Sequence, residues 1–248
     1  MEEYFNMTSF ALKIIALVTM FCDHFGDAYI GHFSFLNLIG RLAFPIFAFQ
    51  ISEGFIHTKN LKKYFLRLGI FAVISQIPFY LFCQKFLYVD TFSLNVFFTL
   101  FIGLTGIYLY DYIIKLFKRT NKDIKNEKLL QFAPFLSKFV GLVLVMLLAY
   151  IAEILNTDYG FWGVVVVFMF YAFKDKKLLI TIAFFILCLI KYSLSFIQSG
   201  FNILYILLAL FTFLPIIFIN AYNGRQGPKI KYLLYIFYPI HLLALYFI

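Results

Sequence analysis

Residues Asn37–Lys59, NLIGRLAFPIFAFQISEGFIHTK, decide the fold, because they form an apolar stretch long enough to cross a membrane and yet contain two charges. Arg41 and Glu53 lie roughly 18 Å apart along a helix that rises about 1.5 Å per residue. Since the hydrocarbon core of a bilayer is about 30 Å thick, both side chains cannot reach the same membrane surface. Pro45 lies between them and predicts a bend, so we expect two half-helices with polar residues on each.

The polar residues of this stretch follow helical spacing. Asn37 and Arg41 in the first half are spaced i, i+4, and Gln50, Glu53 and His57 in the second half are spaced i, i+3, i+7. Each set therefore lies along one face of its half-helix. Ionisable residues inside a membrane segment are costly and mark functional sites by default, so both halves are candidates for a site.

The composition predicts an integral membrane protein that crosses the bilayer many times. Of the 248 residues, 63% are hydrophobic and 22% are aromatic, and the mean hydropathy is +0.91. Short polar breaks separate apolar runs of about 18 to 22 residues, which leaves no room for a soluble domain. We expect one transmembrane domain, residues 1–248, that forms an all-α bundle of about nine transmembrane helices. The predicted spans are 11–28, 34–56, 62–83, 92–114, 134–154, 159–173, 178–197, 201–221 and 231–248.

The sixth predicted span is short, so it either crosses fully or forms a tilted or re-entrant piece. The chain begins with Met1-Glu2-Glu3, which is acidic where a signal peptide is basic, and the first helix is therefore expected to stay in the mature protein. The three cysteines, Cys22, Cys83 and Cys188, lack metal-ligand spacing, so we expect neither a metal site nor a disulfide.

The basic residues predict the orientation. With these spans, 18 of the 21 lysines and arginines fall on one side of the membrane, which the positive-inside rule assigns to the cytoplasm. The N-terminus is then cytoplasmic and the C-terminus outside, in a multi-pass protein of the cytoplasmic membrane. This distribution accounts for the net charge of +9, so nucleic acid is not an expected partner. The densest run, Lys115–Lys128, is either a topogenic, lipid-facing loop or a docking site for a phosphate-bearing substrate.

Several intramembrane polar residues fall in the outer half of the predicted bundle. Asp23 and His24 come near the outer end of the first span, and Arg41 lies at a similar depth in the second. An ion pair between Asp23 and Arg41 is expected whatever the function, because each charge reduces the cost of burying the other. His24 is either a hydrogen-bonded packing residue or a general base, which the neighbouring Asp23 would orient.

Other polar residues have two interpretations each. His241 lies near the middle of the last span, where it either forms a structural hydrogen bond or acts as a neutral base. Asn95 and Asp158, at the outer ends of spans, are either helix caps or part of the site. Glu53 and His57 are either a simple i, i+4 pair at the surface or the cytoplasmic mouth of the site.

The residues described above resemble those of the TraX family, integral-membrane proteins named for a conjugal-transfer protein associated with N-terminal acetylation of F-pilin. The resemblance runs through most of the chain. It includes LKIIALVTMFCDHFG from Leu12, IGRLAFPIFAFQISEGFIHTKNLKKYFLRL from Ile39, FAVISQIPF from Phe71, LNVFFTLFIGL from Leu94, DYGFWGV from Asp158 and YNGRQGPKIKYLLYIFYPIHLL from Tyr222.

The resemblance implies a bacterial membrane acetyltransferase that moves an acetyl group from cytosolic acetyl-CoA, the acyl donor, to an outward-facing amine or hydroxyl of an acceptor protein or surface glycan. On this hypothesis His24, oriented by Asp23, deprotonates the acceptor, and Arg41 stabilises the charge that develops on the thioester oxygen. The proposed catalytic residues are Asp23, His24, Arg41 and His241; the substrate-binding residues are Asn37, Glu53, His57, Asn95, Asp158 and Tyr159; and Lys59, Lys62 and Arg225 hold the CoA phosphates.

Two other function classes remain open. Intramembrane charges and bent helices also suit a transporter or channel, although no inverted repeat is visible in the sequence. A non-catalytic assembly factor for a surface structure is less favoured, because such a protein has little reason to bury this many ionisable groups.

Overall fold

The structure is a computed structural model, and it describes residues 6–32, 34–88, 92–120, 127–198 and 202–248. These residues form helices joined by turns, and the only β pairings among them are isolated bridges between Met7 and Tyr222 and between Leu94 and Thr157. The all-α prediction is confirmed. The α-helices are α1 (Ser9–Phe25), α2 (Phe35–Gly40), α3 (Ala43–His57), α4 (Leu61–Ile74), α5 (Gln76–Phe82), α6 (Val96–Thr120), α7 (Glu127–Ile154), α8 (Gly160–Ala172), α9 (Lys177–Gln198), α10 (Ile203–Phe213), α11 (Pro215–Asn220) and α12 (Lys231–Phe247).

Seven helical segments of the described residues are long and apolar enough to cross a membrane, which makes this an integral membrane protein. The two remaining apolar segments, α8 and the last helix, are shorter and coincide with the sixth and ninth predicted spans. The exact number of crossings, the single-domain organisation and the orientation of the termini stay predictions. The seven segments are Ser9–Ile30, Phe35–His57, Leu61–Leu87, Val96–Thr120, Leu130–Ile154, Lys177–Gln198 and Ile203–Asn220.

Helix α8 is short and lies at the centre of the fold. Its 13 residues are apolar on every side, and Val164, Val167 and Phe170 are fully buried. Helices α3, α6, α7 and α9 pack around it. A helix that is apolar all round belongs in an interior, which explains why this segment looked like a membrane span in the sequence.

The segment quoted at the outset forms the two predicted half-helices, with the break one turn before Pro45. Helix α2 ends at Gly40 and α3 begins at Ala43, and the Arg41 backbone N–H bonds to carbonyl oxygens of α2. A proline ring clashes with the carbonyl four residues earlier, which here is that of Arg41. The break therefore falls at Arg41 itself and turns its side chain into the bundle.

Helix α12 is held at its C-terminal end by two side chains from elsewhere in the chain. Tyr29 Oη donates to the Leu245 carbonyl oxygen at 2.9 Å, and Lys85 Nζ donates to the Tyr246 carbonyl oxygen at 2.5 Å. The last carbonyl groups of a helix have no partner within the helix, so both donors satisfy groups that would otherwise lack a hydrogen bond. The helix also packs against α1 and α5, which brings the first and last helices of the described chain together.

Candidate functional site

Two histidines from opposite ends of the chain meet at the centre of the site. His24 Nδ1 lies 2.8 Å from His241 Nε2, and His241 Nδ1 lies 2.8 Å from the Phe237 carbonyl oxygen. Because a carbonyl oxygen only accepts, His241 carries its proton on Nδ1. In the neutral pair, His24 then donates from Nδ1 to His241, which leaves His24 Nε2 as an unprotonated base.

Aromatic side chains fix the orientation of the two imidazoles. Phe82 meets His24 edge-on at 5.2 Å between ring centroids, and Phe237 stacks on His241 at 4.8 Å. The Tyr238 ring lies 6.1 Å from His24 and 5.7 Å from His241. His241 is only 4% exposed, so the pair is enclosed by apolar rings.

The predicted ion pair between Asp23 and Arg41 is confirmed. Arg41 Nη2 donates to Asp23 Oδ1 at 2.8 Å, and Arg41 Nε donates to the Asn37 carbonyl oxygen at 3.1 Å. The Asn37 amide donates to the Asp23 carbonyl oxygen at 3.0 Å and to Asp27 Oδ1 at 2.8 Å. A side chain at Gly40 would overlap that of Asp23, so α2 approaches α1 this closely only because Gly40 has none.

His24 is oriented by His241 and not, as predicted, by Asp23. Consecutive residues of a helix point in directions about 100° apart and do not face each other. Asp23 therefore turns to α2 and its Arg41, whereas His24 turns to α12. The two candidates occupy neighbouring faces of α1 with separate partners.

A cavity of about 600 Å³, here called the basic cavity, leads towards the histidine pair from the end of the bundle that was predicted to be cytoplasmic. Lys13, Lys59, Arg67 and Lys229 line it at that end, and Met20 and Tyr238 line its inner end. Lys13, Met20 and His24 follow at i, i+7 and i+11 and share one face of α1. The helix rises roughly 16 Å from Lys13 to His24.

Several polar atoms on the cavity wall have no partner among the described residues. They are Gln50 Nε2, Arg67 Nε and the Tyr238 hydroxyl, which faces the Val96 backbone but forms no hydrogen bond of normal geometry. Ser9 Oγ donates to Gln50 Oε1 at 2.8 Å. The Gln50 amide nitrogen has no partner among the described residues. Buried donors without partners are rare in folded proteins, so these atoms mark places where a ligand would form hydrogen bonds.

The predicted pair of Glu53 and His57 is confirmed at the mouth of this cavity. Glu53 Oε2 lies 3.3 Å from His57 Nε2, and His57 is 66% exposed. Both residues line the basic cavity, as does Tyr222. Burial and then the Glu53 carboxylate raise the pKa of Tyr222 to about 12, so its hydroxyl stays protonated.

A second cavity, of about 560 Å³, lies at the opposite end of the bundle and is here called the Trp162 cavity. Trp162, Tyr159 and Lys191 line it, with Glu153 on its wall. Tyr159 stacks on Phe44 with 3.8 Å between ring centroids. The sequence analysis did not select Lys191, although a basic residue in an apolar span, away from the basic side, was a usable signal.

Asp158 precedes Tyr159 in the turn before α8. Its backbone N–H donates to the Leu94 carbonyl oxygen at 2.7 Å, and its carbonyl oxygen accepts from the Thr99 hydroxyl. Burial raises the pKa of the Asp158 carboxyl to about 6, against the attraction of Lys191 and Arg41. The backbone groups of Asp158 thus stabilise the turn, while the Asp158 carboxyl is one of the charged groups near the Trp162 cavity.

Asn95, Lys62 and Arg225 are predicted site residues that line neither cavity. Asn95 is fully buried; its side chain accepts from the Phe97 backbone N–H at 3.0 Å and donates to the Ala72 carbonyl oxygen at 2.8 Å, so it is a helix cap. Lys62 lines a groove on the outer surface between α4 and α6. Arg225 is not among the cavity residues, although its neighbours are. The residues predicted from the sequence to hold the CoA phosphates do not include Lys13, Arg67 and Lys229, which line the basic cavity.

The fold and site together define an integral membrane protein with a buried histidine pair that packs against Tyr238, a residue on the wall of a basic cavity. The chain belongs to the TraX family, because the family model described as TraX protein matches residues 9–248. It is also similar to the probable fimbrial assembly protein FimC, serogroup H1, of Dichelobacter nodosus. The two are 29% identical over 255 residues, which cover 99% of this chain and 97% of that protein. No solved structure matches the chain.

Proposed function

We propose that this protein is an acetyltransferase of the cytoplasmic membrane, which takes the acetyl group of cytosolic acetyl-CoA and passes it to an amine or hydroxyl on the other side. The observation that carries the proposal is the basic cavity, which four cationic side chains line and whose wall includes Tyr238, the ring that packs against both His24 and His241. The name of the relative, a probable fimbrial assembly protein, supports an acceptor related to pili or fimbriae. A surface glycan is the alternative acceptor.

The basic cavity suits acetyl-CoA as a substrate. Lys13, Lys59, Arg67 and Lys229 provide charge-assisted donors for the phosphates. The unpaired amide nitrogen of Gln50 provides a donor for the amide-containing arm. A volume of about 600 Å³ lies in the usual range of roughly 300 to 1,000 Å³ for small-molecule sites.

In the proposed reaction, His24 Nε2 removes the proton from the acceptor while the acceptor nitrogen or oxygen bonds to the acetyl carbonyl carbon. The carbon–sulfur bond then breaks, and the CoA thiolate takes the proton back from His24. His241 positions His24 and stabilises its charged form through the 2.8 Å hydrogen bond. Arg41 uses two of its donor groups on Asn37 and Asp23 and has others for the developing oxyanion.

The proposal is tested with purified protein in proteoliposomes and labelled acetyl-CoA. His24→Ala is expected to lower transfer at least 100-fold, the usual contribution of a general base. His32→Ala is the matched control, because His32 is 43% exposed and its one side-chain hydrogen bond within the described residues is to Asp27. Full transfer by the His24→Ala variant would remove the role assigned to the pair.

A transporter is the second candidate, favoured by one observation: the two cavities lie at opposite ends of the bundle, and each has aromatic side chains on its wall. Transporters place a site between two such openings and expose it alternately. Flux of a solute across proteoliposomes without any acetylated product distinguishes this function from the first.

A further inference from the structure

We infer that the Trp162 cavity binds an amphipathic anion, a carboxylate or a phosphate monoester with an apolar tail, through the Lys191 ammonium group. Resting on the proposed function, this molecule is the acceptor, which the anionic group anchors beside the catalytic residues. Binding of such an anion, measured without any transfer, is a sufficient test of the chemical class of this ligand.

The Lys191 ammonium has unused hydrogen-bond donors. Its Nζ lies 4.0 Å from the centroid of the Trp162 ring and 4.5 Å from that of Tyr159. These aromatic contacts hold the ammonium in place but leave its three N–H groups without an acceptor among the described residues. By contrast, Lys85 and Lys177 donate to backbone carbonyl oxygens at 2.5 Å and 2.7 Å.

Charged side chains face Lys191 from several helices and turns. Arg41, Asp158 and Glu153 surround it, yet no carboxylate lies within ion-pair distance of Nζ in the described part of the chain. The Asp23 carboxylate is bonded to Arg41, and Glu153 Oε2 accepts from the Phe161 backbone N–H at 2.8 Å. An anion in direct contact with Lys191 therefore forms an ion pair that the described residues do not supply.

The wall of the Trp162 cavity is mostly apolar. Apart from Lys191 and a polar rim at Glu153, Asn156 and Thr157, the wall is mostly aromatic and aliphatic; it includes Tyr159, Phe161, Trp162, Val165, Leu187 and Ile190. Such a wall favours an apolar tail, while the ammonium favours an anionic head. A free inorganic anion would leave most of this surface exposed to water.

The sequence contains one tryptophan and 18 tyrosines, so tryptophan emission excited at a wavelength that tyrosine does not absorb reports on this cavity. Hexanoate and hexyl phosphate serve as the two anionic probes, hexanamide as the neutral probe and hexylamine as the cationic probe. We expect a saturable change in Trp162 emission with at least one anion and none with the other two probes. Lys191→Met is expected to weaken anion binding at least tenfold, and Lys191→Arg to retain it.

Lys85→Met is the matched control, because Lys85 also lies over aromatic rings, of Phe86 and Tyr246, but outside the cavity. This variant is expected to bind the anion as the unmodified protein does. An equal response to hexanoate and hexanamide, preferential binding of hexylamine, or unchanged binding in a folded Lys191→Met variant would overturn the inference. The comparison of probes on the unmodified protein stands even if that variant fails to fold. Anion binding without any acetyl transfer would leave this inference intact and contradict only the proposed function.

Discussion

At the scale of single residues, the site is built from pairs in which each member depends on its partner. His24 takes its tautomer from His241, and Asp23 takes its counter-charge from Arg41. Removing one member of a buried ion pair costs more than removing both, because the remaining charge is left without compensation. Substitution in the His24–His241 pair is therefore expected to reduce activity, whereas substitution in the Asp23–Arg41 pair is expected to reduce stability.

Arg41→Met is expected to destabilise the protein by about 3 kcal/mol, since it leaves the Asp23 carboxylate largely buried with only the Asn37 amide beside it. The measurement is thermal unfolding in detergent, combined in a double-mutant cycle with Asp23→Leu. Glu53→Gln is the comparison. Because its partner His57 is exposed, the Glu53–His57 pair is expected to contribute less than about 1 kcal/mol to the free energy of unfolding. Additive effects of the two substitutions at Asp23 and Arg41 would show that the pair does not stabilise the fold.

At the scale of helices, close approach depends on individual glycines. A Cβ at Gly103 of α6 would lie 2.8 Å from the Val167 Cβ of α8, whereas a Cβ at Gly106 would lie 3.6 Å from its nearest neighbour. Contacts under 3.0 Å force a shift of the backbone or of the β-branched neighbour, while those at 3.6 Å are ordinary van der Waals contacts. The two glycines lie one turn apart on the same helix and so form a natural comparison.

Gly103→Ala is expected to lower stability by about 1 to 3 kcal/mol through overpacking against α8. Gly106→Ala is expected to be neutral or to stabilise by up to about 1 kcal/mol, because alanine favours the helix. Thermal unfolding of both purified variants provides the check. Equal loss of stability in the two variants would mean that α6 and α8 do not approach at Gly103.

At the scale of the whole molecule, the distribution of charge predicts an N-terminus in the cytoplasm and a C-terminus outside. In a variant whose three native cysteines are replaced, a cysteine at Lys118 is expected to react with a membrane-impermeant reagent only from the cytoplasmic side. A cysteine at Tyr88, which is 83% exposed, is expected to react only from the outside. Labelling of both positions from the same side would contradict the predicted topology.

The sequence predicts the helical fold and the segments, because apolar runs and charge asymmetry are properties of each segment taken alone. It also predicts the Asp23–Arg41 pair, since two opposite charges at one depth have few other partners. The pairing of His24 with His241 depends on how α12 packs on α1, and no local pattern encodes that contact. For the same reason, the sequence predicts Lys62 and not Lys13 as a ligand of the CoA phosphates. Which face of a helix lines a cavity is known only once the neighbouring helices are placed.

The measurement that most directly tests the central claim is equilibrium binding of acetyl-CoA to the purified protein, followed by calorimetry or thermal shift. We expect saturable binding that falls at least tenfold when Lys13 and Lys229 at the mouth of the basic cavity are both changed to glutamine. Changing Lys62 and Arg225, which lie outside that cavity, is expected to leave the affinity unchanged. Absence of binding, or binding that does not depend on Lys13 and Lys229, would contradict the claim that the basic cavity receives the acetyl donor.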